Sequence, residues 1–219
     1  MTTVFSEIEV RVLGSLVEKQ ITTPEYYPLT LNSLTTACNQ KNNRNPVTAY
    51  NEDQVSQALE TLREKNLAYV FYGSTSRVPK YKHVMPEVLH LTPPQVAVMC
   101  VLMLRGPQTP GELRGNTSRL HEFNSLEDLE QTLNDLMSRD DEALVARLPR
   151  QAGQKEIRFA HLLCGEVAID EVAESTPPRR SAVAPQTDRI TKLEEEVSSL
   201  KVLVEELRQQ LETFKRQFE

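Results

Sequence analysis

Seven glycines in 219 residues include no Gly-rich run of the kind that cradles a phosphate. The three cysteines, Cys38, Cys100 and Cys164, are odd in number and far apart. That spacing argues against a disulfide framework and for a reducing cytosol. His83, His90, His121 and His161 stand apart from one another and from the cysteines, without metal-ligand spacing. No apolar run approaches the ~20 residues that span a bilayer. The first residues lack the basic stretch and apolar core of a signal peptide. These absences predict a cytoplasmic protein that is not an enzyme, holds no metal or cofactor and does not enter a membrane. Excess positive charge is missing too: the net charge is −6. Residues 1–86 are close to neutral, and the acid excess lies beyond them. A nucleic-acid partner is therefore less expected, though local basic clusters can still steer one.

What is present is a repeat. Phe5-Ser6-x-x-Glu9-Val10 and Leu91-Thr92-x-x-Gln95-Val96 are one helix-start device at two positions. Ser6 and Thr92 can cap the N–H three residues on. Glu9 and Gln95 can reach back, and the flanking apolar pairs form a staple. Pro93 sits where a missing N–H costs nothing. Thr30 and Thr109 open second helices. Asn51 and Ser125 open third helices with Val55, Leu59 and Leu62, or Leu129, Leu133 and Leu136, on one face. A strand–turn–strand follows each third helix, 69–72 with 80–84 and 144–148 with 156–162. The copies lie closer at their second and third helices than at their first. The first copy therefore holds extra residues on both sides of its second helix.

Three helices followed by a two-stranded wing describe a winged-helix domain, a relative of the helix-turn-helix. The predicted fold is α+β and mainly α. It has one winged-helix domain over 1–86, a second over 87–165, a flexible linker over 166–189 and a coiled-coil helix over 190–219. The linker is marked by Pro177-Pro178 and Ala184-Pro185. In the last segment Ile190, Val197, Val204, Leu211 and Phe218 fall on heptad position a. Leu193, Leu200, Leu207 and Phe214 fall on d. Mostly β-branched a positions with Leu at d favour a parallel two-stranded coiled coil, so these residues are the expected homodimer seam. The alternative is that this helix folds back on its own chain.

The candidate functional stretch lies in the first copy's insertions. Asn39, Gln40, Lys41, Asn43 and Arg44 crowd the segment before the third helix, where a winged helix approaches DNA. Asn and Gln can bond adenine edges, Arg guanine, and Lys phosphate. Arg77, Lys80 and Lys82 add charge on the wing beside Tyr81. The competing reading is that Asn-rich loops satisfy their own backbone. The third helices argue against DNA: Glu52, Asp53, Glu60 and Glu64 line one, and Glu127, Asp128, Glu130 and Asp135 the other. The second copy is accordingly expected to bind protein or to pack on the first. Cys38 is expected to close a helix face as a small hydrophobe.

The strings Arg11-Val12-Leu13-Gly14-Ser15-Leu16-Val17-Glu18-Lys19, Thr22-Thr23-Pro24, Tyr27-Pro28-Leu29-Thr30-Leu31-Asn32, Ala37-Cys38-Asn39-Gln40-Lys41, Asn43-Arg44 and Pro46-Val47 resemble the YceH family of uncharacterised bacterial proteins. Thr109-Pro110-Gly111-Glu112-Leu113-Arg114 looks like that family's second-domain segment. The resemblance covers about residues 4–165 and implies a tandem winged-helix fold but no activity. Two functions are carried forward. The first is a DNA-binding regulator working through the first domain's loop and wing and dimerised by its tail. The second is a protein-interaction scaffold, similar in architecture to the tandem winged-helix subunits of condensin complexes.

Overall fold

The computed structural model describes residues 4–72, 78–149 and 156–165. Helix α1 (Glu7–Thr22) starts where the sequence places it. Ser6 Oγ accepts from Glu9 N–H at 3.4 Å, and Glu9 Oε2 accepts from Ser6 N–H at 2.6 Å. A 3₁₀ turn (Pro24–Tyr26) and strand β1 (Leu29–Thr30) lead into helix α2 (Leu31–Cys38), capped by Thr30. Helix α3 (Glu52–Glu64) opens on a full capping box between Asn51 and Gln54. Strands β2 (Ala68–Phe71) and β3 (Lys80–His83) and a short helix α4 (Met85–Val88) complete the first half.

The second half repeats the order with helices α5 (Pro93–Arg105), α6 (Pro110–Thr117) and α7 (Leu126–Met137) and strands β4 (Val145–Arg147) and β5 (Phe159–His161). Thr92 N–H donates to Gln95 Oε1 at 3.0 Å. Thr109 and Glu112 cap reciprocally, and Ser125 Oγ accepts from Asp128 N–H. The fold is α+β and mainly helical. The linker 166–189 and the heptad segment 190–219 lie outside the described residues.

The sheets hold more than two hairpins. Strand β1 joins the first as an antiparallel edge, in the order β1-β3-β2, with Leu29 opposite Tyr81 and Thr30 opposite Lys80. In the second half Gln108 bridges Phe159 with both backbone bonds made, at 3.0 and 2.8 Å. Both additions sit just before the second helix of their half. The repeat thus extends to a third strand position that two-residue and one-residue segments are too short to signal by alternation. In the second hairpin the register Val145↔His161 to Arg147↔Phe159 is continued by backbone bonds from Leu162 N–H to Leu144 O and from Leu148 N–H to Arg158 O, so the expected 144–148 strand is paired along its length.

The two first helices make the centre. Every residue from Glu9 to Glu18 of α1 is buried, and every residue from Val96 to Leu104 of α5. A helix buried all round is one with neighbours on every side. Helices α2 and α3 pack on α1, helices α6 and α7 on α5, and α1 and α5 on each other. The buried apolar residues of both halves form one continuous core, Cys38 among them. Packing of the second copy on the first was one of the expectations for it. The closest approach is at Gly14. A Cβ there would lie 3.1 Å from Leu104 Cγ, Leu104 Cδ2 and Met103 Cβ. Gly14 O also accepts a weak bond from Cys100 Sγ at 3.5 Å.

Gly14→Leu is therefore expected to push α1 and α5 apart and to lower stability by at least about 1–3 kcal/mol, the usual range for overpacking. Urea titration of the full chain checks this. An unchanged midpoint would mean that the two helices do not meet here in solution.

Candidate nucleic-acid interface

The Asn-rich loop after α2 is tied down by α1. Arg44 is 6% exposed and its guanidinium is fully committed. Nη1 and Nη2 form a fork on Glu18 of α1, at 3.1 and 2.6 Å. Nε and Nη2 also donate to Ala37 O, an end carbonyl of α2, at 3.1 and 2.8 Å. Arg11, also buried on α1, donates to Cys38 O at 3.3 Å and to Pro46 O at 2.8 Å. Two polar side chains of one helix thus hold both ends of the loop. Arg44 and Arg11 also satisfy the Ala37 and Cys38 carbonyls, which α2 leaves without intrahelical partners.

The remaining loop side chains serve the same end. Asn39 clips the chain closed, donating to Tyr50 O at 2.7 Å and accepting from Tyr50 N–H at 2.8 Å. Gln40 Oε1 accepts from Arg44 and Lys19. Asn43 adopts φ 61°, and its Oδ1 accepts from Arg105 at the end of α5. Asn45 N–H donates to Leu104 O at 2.9 Å, stitching the loop to the second half. Of the loop residues expected to touch DNA, Arg44 is interior, and Asn39, Gln40 and Asn43 already hold partners. Lys41 alone is exposed and makes no hydrogen bond or ion pair among the described residues.

Burial outweighs pairing neither for Glu18 nor for Glu9. Desolvation alone would raise the Glu18 carboxyl. The hydrogen bonds and charge of Arg44, with Lys19, more than reverse this and hold it below the ordinary carboxylate range. Glu9 is likewise held low, against its burial, by Lys65 at 2.7 Å and by Ser6.

The β2–β3 hairpin presents a different surface. In the β2–β3 register Tyr69 faces Lys82 and Phe71 faces Lys80. Directly opposed residues share a face. Tyr69 and Phe71 are each 40% exposed, and Tyr72, just beyond β2, is 74% exposed. Lys82 Nζ stands 5.7 Å from the Phe71 ring centre and 6.0 Å from that of Tyr69, within cation–π range. The opposite face carries Ala68 and His83, both buried, together with Tyr81. Tyr81, the aromatic that the sequence sets beside the lysines, therefore alternates inward. Tyr69 and Phe71, which sequence reasoning passed over, take its place. Period-2 counting across the turn could have found them. Arg77 lies outside the described residues.

The exposed faces of the third helices are acidic. Glu52, Asp53, Glu60 and Glu64 on α3 are exposed, as are Glu127, Asp128, Glu130 and Asp135 on α7. Burial raises the thiols of Cys38 and Cys100, which disfavours the thiolate. Burial, with Lys82 nearby, lowers His83 to about 4 and so keeps it neutral. Among the described residues no group of His, Cys, Asp and Glu is placed to hold a metal ion. No described helix is long and apolar enough to cross a membrane.

A family model described as "Protein of unknown function, DUF480" matches residues 5–154. The chain belongs to this family. It is the same uncharacterised family as the YceH proteins that the first-half strings resemble. Relatives carry the name UPF0502 protein. That of Opitutus terrae is 52% identical over 198 residues, covering 90% of this chain and 84% of the relative. That of Geotalea uraniireducens is 51% identical over 216 residues and 98% of each chain. That of Geobacter sulfurreducens is 49% identical over 221 residues, and the match takes in all of both chains.

The buried fork has a measurable consequence. Arg44→Met leaves Glu18 in a buried site without its guanidinium, and such half-broken pairs typically cost about 3–5 kcal/mol. The expected result is a large loss of stability in chemical denaturation. A lowered carboxyl pKa also fixes the pH direction. The stabilisation is complete above the unfolded value of about 4.3 and fades as pH falls through the folded value. Glu18→Gln should lose stability at pH 7 and flatten the acid limb of the curve. An Arg44→Met variant as stable as the parent would remove the fork from any structural role.

Proposed function

We propose that this protein is a non-enzymatic DNA-binding regulator built from two winged-helix domains, 1–86 and 87–165. Its first wing supplies the contact face, and its tail pairs it into a homodimer. The helix–helix–helix–hairpin order, written twice with matching caps, supports the winged-helix reading. The observation that carries the binding reading is the exposed wing face on which Lys80 and Lys82 alternate with Phe71 and Tyr69. Lysines there meet phosphates, and flat rings beside them suit sugar and base faces. Lys41 and Arg77 extend the basic set. Arg44 is excluded from it by burial.

The acidic exposed faces of α3 and α7 favour a second reading, a protein-interaction scaffold. In a helix-turn-helix protein the recognition helix enters the major groove. Carboxylates on such a helix would oppose phosphate. On the scaffold reading the wing's aromatic–lysine face receives an acidic protein segment instead.

Binding of the full chain to duplex DNA at several salt concentrations separates the two readings. Lys80→Gln with Lys82→Gln should weaken binding and flatten the log K against log salt slope by about 1.8, at ~0.9 per phosphate contact. A slope and affinity that do not move would sink the wing-face reading. No salt-dependent binding by the parent at ~50 mM salt, where electrostatic binding is strong, would transfer the case to the scaffold.

The homodimer rests on the heptad stripe from Ile190 to Phe218. Sedimentation equilibrium should give a dimer for the full chain and a monomer for a chain ending at Gly165. Equal masses per particle would remove the tail as the dimer element. Leu200→Asp in the full chain should also yield monomer, because a carboxylate in the seam would be buried without a partner.

A further inference from the structure

A cleft of about 560 Å³ opens between the C-terminal turn of α1, the 40–43 loop, the C-terminal half of α5 and the end of α6. Four cations from these four segments line it: Lys19, Lys41, Arg105 and Arg119. Glu18 is the only carboxylate among the lining residues, and both of its oxygens already hold Arg44. The cleft therefore keeps a positive excess inside a chain whose net charge is −6. Low-dielectric concave walls focus such a field rather than disperse it.

The cations are poorly engaged. Lys41 and Arg119 are exposed and make no hydrogen bond or ion pair among the described residues. Lys19 reaches Glu18 and Gln40 only at 3.4 Å each. Arg105 bonds Asn43 Oδ1 through one of its five donors. Burial lowers the pKa of Arg105, and the charge of Arg44 adds to the effect, although Glu18 opposes it. Val101 and Leu104 supply apolar wall beside the cations.

We propose that this cleft binds a small phosphate ester of nucleotide size, with its phosphates held by Arg105, Lys41 and Arg119 and its organic part against Val101 and Leu104. Planar guanidinium forks and lysine charges are the side chains that recognise phosphate. The volume lies within the range of small-molecule sites and is far too small to seat a duplex. Because the cations come from both halves, a bound ligand would bridge the loop and α1 of the first half to α5 and α6 of the second. The site shares only Lys41 with the proposed DNA-contacting set and uses neither Lys80 nor Lys82, so the paired wing variant and Arg119→Gln tell the two apart.

The test is calorimetric titration of the full chain with adenosine triphosphate, inorganic pyrophosphate and adenosine as separate probes. Binding by the triphosphate and pyrophosphate, and none by adenosine, is expected. Arg119→Gln and Lys41→Gln alter exposed side chains that hold up no part of the fold. Each should weaken triphosphate binding by about tenfold, the loss for one charge-assisted contact. Lys80→Gln with Lys82→Gln should leave it unchanged. No heat from any phosphate at millimolar concentration would overturn the proposal. So would binding indifferent to both cleft variants. A third overturning result is loss of oligonucleotide binding in the cleft variants without triphosphate binding by the parent, which would make the cleft part of a nucleic-acid surface.

Discussion

The Glu18–Arg44 fork is the constraint on which the rest of the arrangement leans. Helix α1 is surrounded, so a charged residue on it is tolerable only with a partner. Arg44 brings that partner from the loop between α2 and α3. The same guanidinium closes the end of α2, and the loop it fixes goes on to bond the last carbonyls of α5. One ion pair thus couples the end of a short helix, an irregular segment and the junction between the halves. Its worth lies in specificity of placement more than in net free energy, because desolvation offsets much of the attraction in any buried pair.

Around that pair the architecture follows from two helices that each serve two neighbourhoods. An amphipathic helix with one stripe can cover one core. Helices α1 and α5 are buried on nearly every side, and each covers its own half and the other. Gly14 allows their backbones to come close where any larger side chain would hold them apart. The continuous core is the result, and the Asn43 and Asn45 bonds to α5 reinforce it at the surface.

Charge is sorted by element. Carboxylates occupy the first turns of α3 and α7, where they suit the helix dipole, and continue along the exposed faces. Positive charge is concentrated instead on the wing and in the cleft beside the loop. Overall acidity therefore says little about either surface, since fields act over about a Debye length, not over the whole molecule. The β2–β3 face combines flat rings with the ammonium groups of Lys80 and Lys82. The cleft combines the loosely engaged cations Lys41, Arg105 and Arg119 with apolar walls.

Local chemistry alone determined much of this protein. Ser6, Thr30, Asn51, Thr109 and Ser125 could be read as caps because a cap bonds its own helix within three residues. The order of helices and hairpins followed from apolar spacing for the same reason. The expectation that Asn-rich loops satisfy their own backbone was also local, and Asn39 meets it. Tertiary structure decided what depends on partners far along the chain. Arg44 looks like any loop arginine until Glu18, on another element, takes it inside. Leu29 and Gln108 are strand partners only because β3 and β5 are there to pair with them. Which wing residues face outward was set by the register across a turn, and it exchanged Tyr81 for Tyr69 and Phe71. Lys19, Arg105 and Arg119 carry no common signature in sequence. They become neighbours only because α1 and α5 pack closely enough, at a glycine, to bring the two halves together.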